Sequence, residues 1–477
     1  MNITKKTIKK YSKKFNKKKT NKVFKNVNNK IDFKKLLVKS NYALQTKKKF
    51  NKIIDISSKI TDQKSSGRCW IFAFLNLIRL KMIKKYDLEP DFEFSQNYLF
   101  FYDKLEQSNI FLNYVINNLD KDMSSNKKNQ DLKMIYNFDH LLNDGGTWNS
   151  FRFLIEKYGI IPKESMNDTH HSENSRQLNK FLNNYLRKEA QFLFKMREKV
   201  KKSPQKFIEK ILYNCYKILV LFLGEPPKKI DWSYYHNTNN KNKTKNKTKN
   251  KTKNKTKNKT KNKPSKQLKT IKMITPQDFY KKYVPYNFND KICLINYPCE
   301  TAPYYKMYNI EDNLENKMNS NTNFINVPSN IMKKAVESSI DNNEAVWTGL
   351  DIGKFRSNNF GFLDQNGFNY KDIFGFNNYL KKCDALTFRQ SAPTHAVIIR
   401  GYNQDDMRAK YMVENSWGEE KEDRFKGHFT MSEKWFDDYV YIVVVDKKVV
   451  NKKVLDCLKT KPIVLPYWSP FGNLLQS

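Results

Sequence analysis

Apolar residues fall into two different rhythms along this chain. Residues 69–86, CWIFAFLNLIRLKMIKKY, are apolar on nearly every side and close on Lys-Lys-Tyr, which predicts a helix buried in a core. Residues 173–201 set Leu178, Leu182, Tyr185, Leu193, Met196 and Val200 at spacings of three, four and eight, one stripe of a helix. The next helix announces both ends. Ser203 can cap it, Pro204 suits its first turn, and Gly224 with Pro226 and Pro227 stops it. These two predict a helical hairpin within an insertion spanning about 120–225.

The later half has a shorter rhythm. AVWTGLDIG, HAVIIRGY and YMVENSWG are short runs rich in β-formers and ended by Gly. YVYIVVVD is continuously apolar and β-branched, as for a strand covered on both faces. Helices first and strands later predict an α+β fold with a helical and a β-rich lobe, and a cleft between such lobes is a natural place for a site.

Charge changes the picture at two places. The formal net charge is +41, yet residues 1–30 hold twelve Lys and no acid, and residues 241–264 hold twelve more. The first stretch predicts a disordered basic arm. The second is five copies of Lys-Asn-Lys-Thr followed by Lys-Asn-Lys-Pro, a period too short and too polar to bury anything. It predicts a solvated insert over about 236–266. Either tract could hold nucleic acid or another polyanion, or be only a solvated tail in a chain whose coding favours Lys and Asn.

Six Cys, at 69, 215, 293, 299, 383 and 457, are too sparse and irregular for a disulfide framework. No Cys-x-x-Cys occurs, and Cys293 with Cys299 makes a poor metal site, so neither metal nor cofactor is expected. No apolar run reaches the roughly 18 residues of a membrane span, and the first residues lack the apolar stretch of a secretory signal. A reducing cytoplasm is the simplest expectation. Lys/Asn-rich coding also allows a parasite or a large virus, and with it a virus particle or host-cell cytoplasm.

The stretch TDQKSSGRCWIFAFLN, residues 61–76, carries the candidate chemistry. Cys69 stands where a helix begins, and amide dipoles at a helix N-terminus favour a thiolate. Gln63, six residues earlier, and the Cys69 backbone N–H are two candidate donors for an oxyanion, with Gly67 allowing the tight approach. His395 stands just before a strand, and Asn415 ends the next β-rich run. A Cys–His pair needs a third group to hold the imidazole, which an Asn oxygen can be. Taken singly, Cys69 reads equally as a small buried residue and His395 as a structural one.

Taken together, QKSSGRCWIF, THAVIIRGY and VENSWG resemble the papain-like cysteine peptidases. The Gly-Arg-Cys-Trp form is similar to their bleomycin hydrolase, or aminopeptidase C, branch. FEFSQNYLFFYDKLE, NDGGTW, EKYGIIPK, ITPQDFY, EAVWTGLDIGK and KPIVLPYWSPFG resemble the same branch, in order, over roughly residues 30–477. The resemblance implies a two-lobed papain-like core over 31–450. It makes Cys69 the nucleophile, His395 the base and acid, Asn415 its orienting partner and Gln63 an oxyanion donor. Trp417 would shield the Asn–His bond, Gly145 and Gly146 would hold extended substrate, and Trp70 and Phe72 read as core. It further implies that residues 451–477 form an arm in the cleft. The terminal carboxylate, on Ser477, would take the free amine of a peptide, and the enzyme would act as an aminopeptidase in a homohexamer. An endopeptidase with a mobile arm and a polyanion-binding protein are the alternatives.

Overall fold

The computed structural model describes residues 2–46, 49–121, 132–237, 266–311, 323–419, 427–466 and 469. The Lys-Asn-Lys-Thr tract and Ser477 lie outside the described residues.

The helix predicted at 69–86 runs Cys69–Tyr86 and is buried almost throughout, from Cys69 to Ile83. Being apolar all round, it has no solvent face to offer, so it lies between layers. On one side it meets the helices Gln96–Ile116 and Trp148–Tyr158, and on the other the strands Val346–Leu350 and His395–Tyr402. Phe74 marks this junction. Its ring stacks on Phe151 at 4.5 Å and on Trp347 at 4.7 Å, joining the helical layer to the sheet.

Among the described residues the sheet holds twelve strands. Its middle runs Lys291–Ile295, Val440–Asp446, Val346–Leu350, His395–Tyr402, Tyr411–Glu414, His428–Met431, mostly antiparallel. The strand Val440–Asp446, predicted as covered on both faces, is buried from Val440 to Val445. Antiparallel pairing is decisive for function. It brings the start of one strand, near His395, to the end of its neighbour, where Ile398 faces Glu414 and Asn415 follows.

The helical hairpin forms with adjustments. The first helix is Arg176–Lys195, and the chain turns at Met196 before a short second piece, Arg197–Lys202. Leu178, Leu182, Leu193 and Val200 are buried as the stripe requires. The second helix is Pro204–Leu223, stopped at Gly224 with φ 87°. Ser203 occupies its N-cap position without a side-chain hydrogen bond.

Three expectations need correction. Residues 1–30 are not a disordered arm: Lys5–Lys17 and Lys19–Asn28 are helices. Lys is a good helix former, and the Thr4 hydroxyl accepts from the Thr7 N–H at 3.2 Å. Neither helix buries a residue, so nothing tertiary secures them. The insert begins later and ends earlier than 236–266, because Ile230–Asn237 and Lys266–Ile274 pair as a hairpin out to Asn237 and Lys266. Trp232 anchors that hairpin against Tyr86, Phe279 and Tyr283. Finally, Cys299 and Cys383 form a disulfide, Cα atoms 5.2 Å apart and 84 residues apart in sequence, a pairing that irregular spacing conceals.

Residues 451–466 open with the helix Lys452–Asp456 and continue as the edge strand Ile463–Leu465, parallel to Lys306–Ile310. No helix among the described residues is long and apolar enough to cross a membrane.

Candidate active site

Cys69 is the first residue of its helix and is 4 % exposed. Its sulfur faces the Gly67 carbonyl at 3.9 Å and is reached by the backbone N–H of Ala396, next to His395. Burial pushes the thiol up to about 11, against the pull of the Ala396 and Trp70 amides. The helix N-terminus was expected to lower it; desolvation of the thiolate outweighs the amide dipoles. Asp144 adds a smaller push in the same direction.

His395 opens its strand, 7 % exposed, and its Nε2 lies 2.7 Å from Asn415 Oδ1. With Nε2–H donating to the Asn oxygen, Nδ1 is the nitrogen left to take a proton. Burial drives the imidazole down to about 4; the Asn415 bond opposes this and the nearby Arg356 guanidinium reinforces it. Burial thus favours the neutral form of both the thiol and the imidazole. Trp417 lies over the imidazole, ring centroids 4.9 Å apart, and its face also carries the Arg356 guanidinium at 4.4 Å.

Gln63 joins these groups through backbone pairing that its sequence neighbours do not suggest. Its N–H donates to the Ser416 carbonyl at 2.8 Å, Gly418 N–H donates to the Thr61 carbonyl at 2.9 Å, and Asp62 bridges Trp417. The Gln63 amide is then fixed at both ends. Ser416 Oγ donates to Oε1 at 2.8 Å, and Nε2 donates to the Ser66 carbonyl at 2.7 Å. That leaves the second amide N–H of Gln63 for another acceptor.

Gly145 and Gly146 lie beside this helix. A Cβ on Gly146 would stand 2.5 Å from the Trp70 ring, so the close approach requires glycine. The Trp70 indole donates to the Asp144 carbonyl at 2.6 Å and holds the segment there. Trp70 and Phe72 are buried, as core.

Sequence reasoning missed what fixes the Cys69 side. Asp144, in the same NDGGTW run as the glycines, accepts from Gly67 N–H at 3.1 Å, pairs with buried Lys104 at 2.9 Å, and accepts from Asn179 at 2.7 Å and from Ser175. Burial alone would raise its pKa, but Lys104 and the Ser175 and Asn179 donors hold it well below the usual carboxylate range. Arg68, just before Cys69, is fully buried and pairs with Asp168 at 2.7 Å. An acid followed by Gly-Gly was the available signal; its partners on two helices and in the loop ahead of Cys69 were not. Among the described residues there is no cluster of His, Cys, Asp or Glu that could hold a metal ion.

A buried thiol at a helix N-terminus, an Asn-held imidazole and an anchored amide form the constellation for acyl transfer through a thioester. The model of the peptidase C1-like family matches residues 2–263 and 257–472. The chain belongs to this family. Among curated proteins it is 36% identical to the bleomycin hydrolase of Mus musculus over 431 residues, covering 87% of this chain and 86% of that one. It is 34% identical to the aminopeptidase C of Listeria monocytogenes over 421 residues, 88% and 87% of the two chains. The crystal structure of PepW from Lactobacillus rhamnosis HN001 superposes with a TM-score of 0.84 at 30% identity, covering 99% of both chains. This peptidase C1-like chain is thus a cysteine peptidase with the papain-like α+β fold.

Proposed function

We propose that this chain is a cysteine aminopeptidase in which Cys69 attacks the carbonyl of the first peptide bond. Thiol and imidazole start neutral, so the Cys69 proton passes to His395 Nδ1 as attack begins. The resulting imidazolium is stabilised by its bond to Asn415 and protonates the leaving amine. The free amide N–H of Gln63 and the Cys69 backbone N–H stabilise the oxyanion. Water activated by His395 then hydrolyses the thioester. The edge at Gly145 and Gly146 holds the extended substrate, and Trp417 keeps water from the His–Asn bond. The observation that carries this reading is the 2.7 Å His395–Asn415 bond, set on the strand against which the Cys69 helix packs.

The substrates are peptides with a free N-terminus. The arm that begins at 451 takes their amine, and the enzyme assembles as a homohexamer in the cytoplasm. The basic tracts at 1–30 and 241–264 give the assembly affinity for nucleic acid. Incubation of a nested set of peptides with and without a thiol alkylator tests the reading. One-residue steps from the N-terminus that stop on alkylation are expected. Equal cleavage of N-acetylated peptides would replace the aminopeptidase by an endopeptidase, and alkylator-resistant turnover would exclude Cys69 as nucleophile.

A further inference from the structure

Arg356 is the cation nearest the His395–Asn415–Trp417 group that nothing in the proposed reaction uses. It sits at the start of the edge strand Arg356–Ser357, and its guanidinium lies 4.4 Å over the Trp417 ring. Among the described residues it has no ion pair and no side-chain hydrogen bond, and it is largely shielded from solvent, which lowers its pKa. Arginine carries five donors in a planar fork suited to a carboxylate, and here the fork is held by stacking while its N–H groups remain unused. The nearby acids are engaged elsewhere. Asp32 accepts from the Lys34 and Lys35 backbone N–H groups at 3.0 and 3.2 Å, and Asp62 pairs with Lys64 at 2.6 Å.

Arg356 also lines a cavity of about 180 Å³ with Ser357, Asn358, Asn359, Lys34 and Lys35. Three of these six carry positive charge and the rest are neutral hydrogen-bonding side chains. Asp32 is the acid of that wall.

The position relative to the reaction follows from the imidazole. The leaving amine must come within reach of His395 to be protonated. Trp417 contacts both the imidazole and the Arg356 guanidinium, so a substrate chain that runs past the imidazole along Trp417 reaches Arg356.

We propose that Arg356 forms a carboxylate-binding subsite on the leaving-group side, so that the enzyme prefers substrates with a carboxylate one or two residues beyond the scissile bond. The carboxylate comes either from the C-terminus of a di- or tripeptide or from an Asp or Glu side chain. Its positive charge also disfavours the imidazolium, and an occupying carboxylate offsets this, so that His395 takes up its proton more readily when an acidic leaving group is bound. This inference rests on the peptidase reading and on His395 as the group that protonates the leaving amine.

Steady-state kinetics with two peptide pairs test it. Ala-Ala-Ala as free acid against its C-terminal amide reads the main-chain carboxylate, and Ala-Glu-Ala-amide against Ala-Gln-Ala-amide reads the side chain. Wild-type enzyme is expected to favour the carboxylate member of at least one pair by about 10-fold in kcat/KM, the scale of one charge-assisted hydrogen-bonded pair. R356Q should erase that preference by slowing the acidic member alone, and R356K should retain part of it. The pair that responds identifies the source. Absence of any preference in wild-type enzyme overturns the inference. So does an R356Q enzyme slowed equally on all four peptides, since Arg356 would then only prop Trp417. If wild-type enzyme cleaves none of the four, the peptidase reading itself fails.

Discussion

The two walls of the cleft are built on opposite principles. On the sheet wall, His395 opens one strand and Asn415 directly follows the end of its antiparallel neighbour, so the backbone ladder largely sets their separation. On the helix wall, Gln63 lies on an irregular loop and Cys69 is the first residue of the helix that follows it. Buried polar groups hold that loop: Asp144 with Lys104, Arg68 with Asp168, and Ser416 with Gln63. A ladder tolerates many side chains, whereas a buried ionic network fails when one partner is lost. The nucleophile's wall is therefore the fragile one.

Substitutions can break this contrast, the most severe first. Cys69→Ala should abolish thioester formation and lower turnover of N-terminal peptide bonds by more than ~10³-fold. Its circular dichroism and Tm should stay near wild type; an unfolded variant would show the thiol to be structural instead. Asp144→Ala leaves Lys104 buried without its main counter-ion and should cost about 3–5 kcal/mol in urea unfolding. Asn415→Ala, on the ladder wall, should slow turnover while leaving the unfolding midpoint within about 1 kcal/mol of wild type. Equal destabilisation by the two would dissolve the comparison. Gln63→Ala should reduce kcat by about 10²-fold with little change in KM, as for loss of one oxyanion donor. A change confined to KM would assign Gln63 to ground-state binding.

A further effect is one of pH. His395 has its pKa lowered from 6.5 to about 4 in the folded protein. The unfolded chain therefore binds the proton first as pH falls. The stability that comes from keeping the ring neutral is complete above pH 6.5 and lost between 6.5 and about 4, roughly 3 kcal/mol in all. Unfolding of His395→Gln across that interval should slope less steeply than wild type, and parallel slopes would refute the assignment. Reduction of the Cys299–Cys383 disulfide should leave both walls in place and lower Tm by a few degrees, since it closes an 84-residue span remote in sequence from Cys69.

Much of the architecture is legible in the residues because it rests on local patterns. The largely apolar stretch at 69–80 predicts a buried helix, the Leu178–Val200 stripe a packed one, and YVYIVVVD an interior strand. The candidate residues Cys69, His395 and Asn415 were also readable, though from motif company and not from their spacing. The basic N-terminus was misread because low hydrophobicity was weighed above the helix propensity of Lys, and the two helices there need no buried contact to be written locally.

Sequence by itself determined the buried helix at 69–86, the packed hairpin helices and the interior strand at 440–446, and which residues bear reactive groups, since periodicity and side-chain chemistry are properties of the chain. Tertiary structure alone decided how those groups behave. Burial sets the Cys69 thiol high and the His395 imidazole low. Pairing of 61–63 with 416–418 brings Gln63 to the site, Asp144 gathers partners from two helices and the loop ahead of Cys69, and Arg356 comes to lie on Trp417. Desolvation and charge pairing depend on what surrounds an atom in space, and those neighbours stand up to several hundred residues apart in the chain.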